Sequence, residues 1–347
     1  MSLRVVTAMA VAPFGGAENF FAQLSVALKR AGVEVMAALR KSPIHEAMLQ
    51  KAGVPYRTFA FGKRFDFRTS RQLAEMNRAF RPDVVLTFTQ RSSSMMPRGD
   101  YPMVGRLGGY YNLKYFTRCD YLTCITPDLV EYVVKGGWSR DRVFYIPNFP
   151  DVHDAPPADR ATLNTPAGAP VALALARLHP NKALDVLLRA AVRVPGLYVW
   201  IAGEGEERQK LETKAREFGI AARVRFLGWR TDRSALMRAA NVCVFPSRWE
   251  PNGTVVVEAW AHGVPLVTTA SAGPAWITRN GEDALVVPVD DHEALAKAMS
   301  DVIASPQLAR RLVENGAKRV AAEFSEAAVV RQYIEMFEKV RARRAAA

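Results

Sequence analysis

The stretch richest in chemistry is Phe245-Pro246-Ser247-Arg248-Trp249-Glu250-Pro251-Asn252-Gly253-Thr254, which runs through residues 255–262 into Gly263-Val264-Pro265. Glu250 stands in a loop, and Glu258 falls about five residues into the helix that the loop opens, on an otherwise apolar face. At 1.5 Å per residue a helix over 253–262 is about 15 Å long. A carboxylate on an apolar face is costly unless paired. Two sugar hydroxyls would satisfy the oxygens of Glu258, and a buried salt bridge is the other reading. The N–H groups of Asn252, Gly253 and Thr254, at the start of the helix, can hold phosphate or sugar oxygens.

Three further groups lie at the ends of strand-like runs. Arg177-Leu178-His179-Pro180-Asn181-Lys182 follows the run 171–176. Arg177 and Lys182 place two permanent cations where a diphosphate would need compensation, each charge-assisted hydrogen bond contributing on the order of 1.5–3 kcal/mol; two solvated loop cations are the bland alternative. His179, beside Pro180, reads as a turn residue. Gly203-Glu204-Gly205 and Leu227-Gly228-Trp229 end the next two runs. Gly228 and Trp229 can frame a flat base, although Trp229 can equally be a packing anchor. Near the start, Gly15-Gly16-Ala17-Glu18 opens a helix, and its glycines permit close approach to a phosphate or sugar, or simply a tight turn. The spacing is not that of a nicotinamide-binding fingerprint.

Taken together these residues resemble the family 4 retaining glycosyltransferases of the GT-B fold. The likeness rests on Glu250 and Glu258 with seven residues between them, followed by Ala259, Ala261, Gly263 and Pro265, and on Arg177/Lys182, Gly203-Glu204-Gly205 and Gly15-Gly16 in the family's order. It spans essentially the whole chain. The resemblance implies two Rossmann-like parallel-sheet α/β domains facing across a cleft, with the C-terminal helix crossing back to the first. It implies a nucleotide-sugar donor on the second domain and an acceptor mainly on the first. Glu258 would bind the ribose hydroxyls, Glu250 would lie near the transferred sugar, Arg177 and Lys182 would hold the diphosphate, and Gly16 would approach it from across the cleft. Anomeric configuration would be retained by front-side displacement, with no cofactor and no metal. The sequence contains no Asp-x-Asp.

One departure stands out. Where many relatives carry a histidine after the strand at 103–107, this chain has Gly108-Gly109-Tyr110-Tyr111-Asn112. Arg106, Tyr110 or Asn112 can contact sugar hydroxyls there, and the tyrosines can equally pack.

The elements that must position these groups alternate between short β-branched runs and amphipathic helix-length stretches, the pattern of repeated βαβ units. Strands are predicted at 3–9, 33–39, 83–88, 103–107, 121–126 and 142–147, with helices clearest at 17–31, 69–80 and 127–135. Residues 150–170 hold five prolines and almost no large apolar side chain, which reads as a linker. Strands then resume at 171–176, 197–202, 223–228, 242–245 and 264–268. The predicted organisation is an acceptor domain at 1–150, a linker at 151–170, a nucleotide-sugar domain at 171–323 and a closing helix at 324–347. In such sheets ligands sit beyond the carboxyl ends of the strands.

The 347 residues are 49% apolar and 23% charged, which excludes a wholly disordered, collagen-like or coiled-coil chain. No apolar run is long enough to span a bilayer, and the apolar start reads as a buried strand rather than a signal peptide. Cys119, Cys124 and Cys243 lack metal-ligand spacing and read as reduced cytoplasmic thiols; the basic first half and the resemblance add an expected peripheral position at the inner face of the membrane. The net charge of +13 is uneven: residues 1–150 hold 21 Lys+Arg against 11 Asp+Glu, leaving 26 against 23 for the rest. A basic first half points to an anionic partner. Residues 59–68 with Arg71, Arg78 and Arg81 mix rings and cations suited to anionic headgroups, and a β-edge with a solvated basic helix is the alternative. Nucleic-acid-binding motifs are missing. The resemblance further implies a UDP-sugar donor and an envelope glycan or lipid-linked glycan, such as lipopolysaccharide, as acceptor; a nucleotide-sugar epimerase or hydrolase on the same fold is the alternative function.

Overall fold

The computed structural model describes residues 2–10, 16–62 and 66–345. Gly15 and residues 63–65 of the basic aromatic stretch lie outside the described residues. The chain forms two units, Met1–Asn148 with Glu326–Ala347, and Phe149–Ser325.

The first unit contains β1 (Arg4–Met9), β2 (Glu34–Arg40), β3 (Tyr56–Phe59), β4 (Val84–Thr87), β5 (Met103–Leu107), β6 (Tyr121–Cys124) and β7 (Val143–Tyr145). All pair in parallel, in the order β3-β2-β1-β4-β5-β6-β7. β4 and β5 are buried along their whole length, as expected for strands covered on both faces. The helix Glu326–Ala345 belongs to this unit. Its side chains Ala328, Val329, Tyr333, Met336, Phe337 and Val340 are buried, and the Tyr333 hydroxyl accepts a hydrogen bond from Arg106 Nε at 3.2 Å. The helix begins two residues after the expected start because Val320–Phe324 forms a π turn and Ser325 is extended.

The second unit contains β8 (Val171–Leu175), β9 (Tyr198–Ala202), β10 (Val224–Gly228), β11 (Val242–Phe245), β12 (Leu266–Thr269) and β13 (Leu285–Val287), ordered β10-β9-β8-β11-β12-β13 and all parallel. Numbered within the unit, this is the 3-2-1-4-5-6 order of a doubly wound nucleotide-binding sheet. Its strand order reverses between β8 and β11, so the loops after these two strands flank the point where a ligand is received. Residues 151–170, read as a linker, are packed onto this unit. Arg160 donates to Ala239 O and Asn241 Oδ1, and Trp200 Nε1 donates to Thr165 Oγ1 at 2.9 Å. Proline content removed the periodic signal of this segment, while its polar groups found partners on the sheet.

The sequence Thr-Val-Val-Val-Glu-Ala-Trp-Ala has strand-like β branching yet forms the helix Thr254–Ala261. Two features override the propensity. Gly253 enters it at φ +67°, a left-handed geometry that glycine adopts without penalty. At the other end Trp260 is buried, donates to Asp283 O at 2.8 Å and packs so closely on Gly316 that a Cβ there would lie 2.4 Å from the indole.

Candidate functional site

The loop after β8 passes through Ala176 and Arg177 and turns through a short 310 segment, Pro180–Lys182. His179 caps that turn, its Nδ1 accepting from Asn181 N at 3.1 Å. The Arg177 side chain is 70% exposed and pairs with Glu206 at 3.2 Å. Lys182 turns inward, where its ammonium bonds to Glu250 Oε2 and lies 5.4 Å from the centre of the Phe245 ring.

The loop after β11 supplies Glu250, whose other oxygen accepts from Asn252 N at 3.0 Å and Gly253 N at 3.3 Å. This corrects one expectation. The amides of Asn252 and Gly253, assigned above to phosphate or sugar oxygens, are engaged by the chain's own carboxylate. An acid three residues before the glycine that enters the helix is close enough to reach those donors, and the helix end favours its charge. Asn252 Nδ2 donates to Thr254 Oγ1 at 2.8 Å.

Arg248 ties the two loops together. Its fork bonds both oxygens of Asp185 at 3.0 and 3.1 Å, its Nε lies 2.6 Å from Asp290, and its backbone N–H donates to Asn181 O at 2.8 Å. Burial pushes the Asp185 carboxyl up, yet Arg248 and Lys214 outweigh it and hold the group below its ordinary range. Replacing Arg248 with Ala is expected to lower folding stability by about 1–2 kcal/mol, discounted for partial exposure. A urea titration would show this as a lower midpoint with an unchanged slope.

Glu258 is 4% exposed and bonded to Arg233, which follows β10 on the helix Arg233–Ala239. The salt-bridge reading of Glu258 is therefore present in the structure. Burial pushes its carboxyl up to about 7 against the pull of Arg233. Arg233 also lines a cavity of about 210 Å³ beyond the ends of β8, β9 and β10, with Arg177, Gly203, Trp229 and Arg230. Trp229 is 76% exposed. It is not a packing anchor; it presents a ring at the cavity wall.

The glycines have a steric reason. A Cβ on Gly203, at φ +149°, would lie 2.0 Å from Ala176 O, and one on Gly205 2.3 Å from Leu178 O. Only a side-chain-free turn lets the loops after β8 and β9 come together. Gly228, at φ +69°, ends β10 and bonds through its carbonyl to Gly203 N at 2.8 Å. In the first unit Gly16 begins the helix Gly16–Arg30 and is exposed.

The three acceptor candidates all have structural engagements. Arg106 is 1% exposed, bonded to Tyr333 and Asn148 and stacked near Phe20 and Phe88 at 4.6 and 5.2 Å. Its Nη1 has no partner among the described residues. Tyr110 donates to Asp128 and meets Tyr132 edge-on. Asn112 caps a 310 turn by accepting from Lys114 N at 3.1 Å. Tyr111 stacks on Phe116. Arg230, Arg233 and Arg248 were not singled out from the sequence. The available signal was a cation shortly after a strand end, the same one that marked Arg177.

Two parallel sheets, the second in nucleotide-binding order with cations, glycines and acids gathered at its reversal point, define the GT-B class of glycosyltransferase. Comparison with known proteins agrees. Residues 14–154 match Glycosyltransferase Family 4 and residues 157–319 match Glycosyl transferases group 1. The chain is 36% identical over 326 residues to the lipopolysaccharide core biosynthesis glycosyltransferase LpsE of Rhizobium meliloti, covering 93% of this chain and 95% of that protein. It is 35% identical to LpsD of the same organism, covering 95% and 97%. Its fold is similar to that of HepE of Anabaena, solved in complex with UDP and glucose, at a TM-score of 0.80 and 19% identity over 97% of this chain and all of that one. The protein is an enzyme and belongs to the family 4 glycosyltransferases.

Proposed function

We propose that this glycosyltransferase moves a sugar from a UDP-sugar to a lipopolysaccharide core or related envelope glycan, retaining anomeric configuration and using no metal. The observation that carries the donor part is that one loop, the one after β8, supplies both Lys182, paired with Glu250 at the reversal point of the second sheet, and Arg177, which walls the neighbouring strand-end cavity with Trp229 and Arg233. Trp229 offers a face for the base, Arg177 and Lys182 offer charge for the diphosphate, and Glu258 offers acceptor oxygens for the ribose once Arg233 yields them. Gly203 lines the cavity and Gly228, bonded to it, closes the turn behind, while Glu250 faces the transferred sugar. Departure of the diphosphate is then stabilised by fixed cations. Arg106, with one unpartnered buried N–H group, leads the acceptor candidates over Tyr110 and Asn112.

The two Rhizobium meliloti relatives, named for lipopolysaccharide core biosynthesis, support the acceptor class, and the fold relative with UDP bound supports the base. No helix among the described residues is long and apolar enough to cross a membrane. We place the enzyme in the cytoplasm, peripheral at the inner face of the membrane, with its basic first unit turned to the anionic surface. A panel of nucleotide sugars followed by thermal shift should single out a UDP-sugar. Incubation with that donor, radiolabelled in the sugar, should move label onto truncated lipopolysaccharide core. Release of free rearranged sugar without transfer would favour an epimerase or hydrolase instead.

A further inference from the structure

The first unit contains a cavity of about 600 Å³. It is bounded by Arg78 and Arg81 at the end of the helix Phe67–Phe80 and by the segment from Pro97 to Tyr101. These segments precede β4 and β5, so the cavity lies at the amino ends of the parallel strands. Arg106 lies near the opposite end of β5, about 15 Å away for strands of four or five residues.

Three arginines face this cavity: Arg78, Arg81 and Arg98. Among the described residues none of them has a carboxylate partner, and Asp100 is the one acid in the lining. Arg344 adds a cation at the rim by donating to Gly99 O at 3.3 Å. The floor is rigid. Asn77, buried, donates to the Tyr101 hydroxyl at 2.8 Å, and that hydroxyl donates to Pro97 O at 2.7 Å.

Arg81 is also strained. It sits at φ +53°, ψ +64° in the left-handed region at the end of its helix, where glycine or asparagine is favoured. A bulky side chain held in that geometry points to function. Guanidinium groups are suited to phosphate because their N–H pairs match its oxygens.

We propose that this cavity is a phosphate-binding site that holds a phosphorylated sugar or a phospholipid headgroup. It deepens the reading of the first unit as facing an anionic partner and stands apart from the donor assignment, so either can fail alone.

Calorimetry with glucose 6-phosphate, and flotation with vesicles of phosphatidylglycerol in phosphatidylcholine, separate the two sources. Wild-type protein should bind at least one of these probes, the first implicating a sugar phosphate and the second a headgroup. Arg81→Gly removes the cation and relieves the backbone, so the melting temperature should hold or rise while affinity for that probe falls five- to tenfold. Arg78→Ala with Arg98→Ala should lose more. Arg310→Ala, an exposed residue of the second unit with the same loss of charge, should bind as wild type. Equal binding by wild type and Arg81→Gly, equal losses in Arg81→Gly and Arg310→Ala, or no binding of either probe by wild type, would overturn the proposal.

Discussion

Glu258→Ala should abolish measurable binding of a UDP-sugar while the chain still folds. Two charge-assisted hydrogen bonds to a ribose contribute on the order of 3–6 kcal/mol together, so affinity should drop by at least about a hundredfold. Folding should survive because the partner left behind, Arg233, is 44% exposed and can rehydrate. The buried carboxyl adds a pH signature. Its folded-state value of about 7 lies above its ordinary 4.5, so between these values the native state holds the proton more tightly than the unfolded state. The resulting stability is full below about pH 4.5 and is lost as pH rises through about 7. Nucleotide binding should run the other way, tightening from pH 6 to 8 as the carboxylate that accepts the hydroxyls forms. Glu258→Gln should flatten both profiles. Calorimetry showing wild-type affinity in Glu258→Ala would remove Glu258 from the donor site.

Lys182→Ala should act on turnover. Negative charge grows on the diphosphate as the glycosidic bond breaks, so a cation placed there is worth more in the transition state than in the ground state. The expected loss is about 10²–10³ in kcat, with a smaller change in KM. Arg177→Ala should cost less, because that side chain is 70% exposed and screened by water and Glu206. Lys182→Ala also strands Glu250, although two backbone N–H groups still hold one of its oxygens. A parallel melting curve separates any folding loss from the kinetic one. Wild-type rates in both variants would refute the assignment of these cations to the leaving group.

Much of the fold was legible because its signals are local. β11, at Val242–Phe245, and the helix Pro127–Lys135 were predicted to the residue. The first follows from a short apolar run after Asn241, the second from a capping Thr126 followed by proline and amphipathic spacing. β3 and β13 were missed: the β-edge considered for residues 59–68 meets β3 only at Phe59. Both are edge strands of three or four residues, too short to display a period.

The site divides in the same way. Residue type and spacing were enough to mark Glu250, Glu258, Arg177, Lys182 and the glycine turns, because cations and acids after strand ends are chemical facts of the chain. Partnership was a different matter. Lys182 meets Glu250 across 68 positions and Arg233 meets Glu258 across 25, and Arg248 reaches Asp185 across 63. The first and third depend on β8 lying beside β11 while their loops leave the same edge, and the second on the helices after β10 and β11 packing together, a geometry created by strand pairing and crossover packing. Propensity and periodicity act within a turn or two of the chain, whereas an ion pair is chosen by whatever the folded sheet brings within about 4 Å.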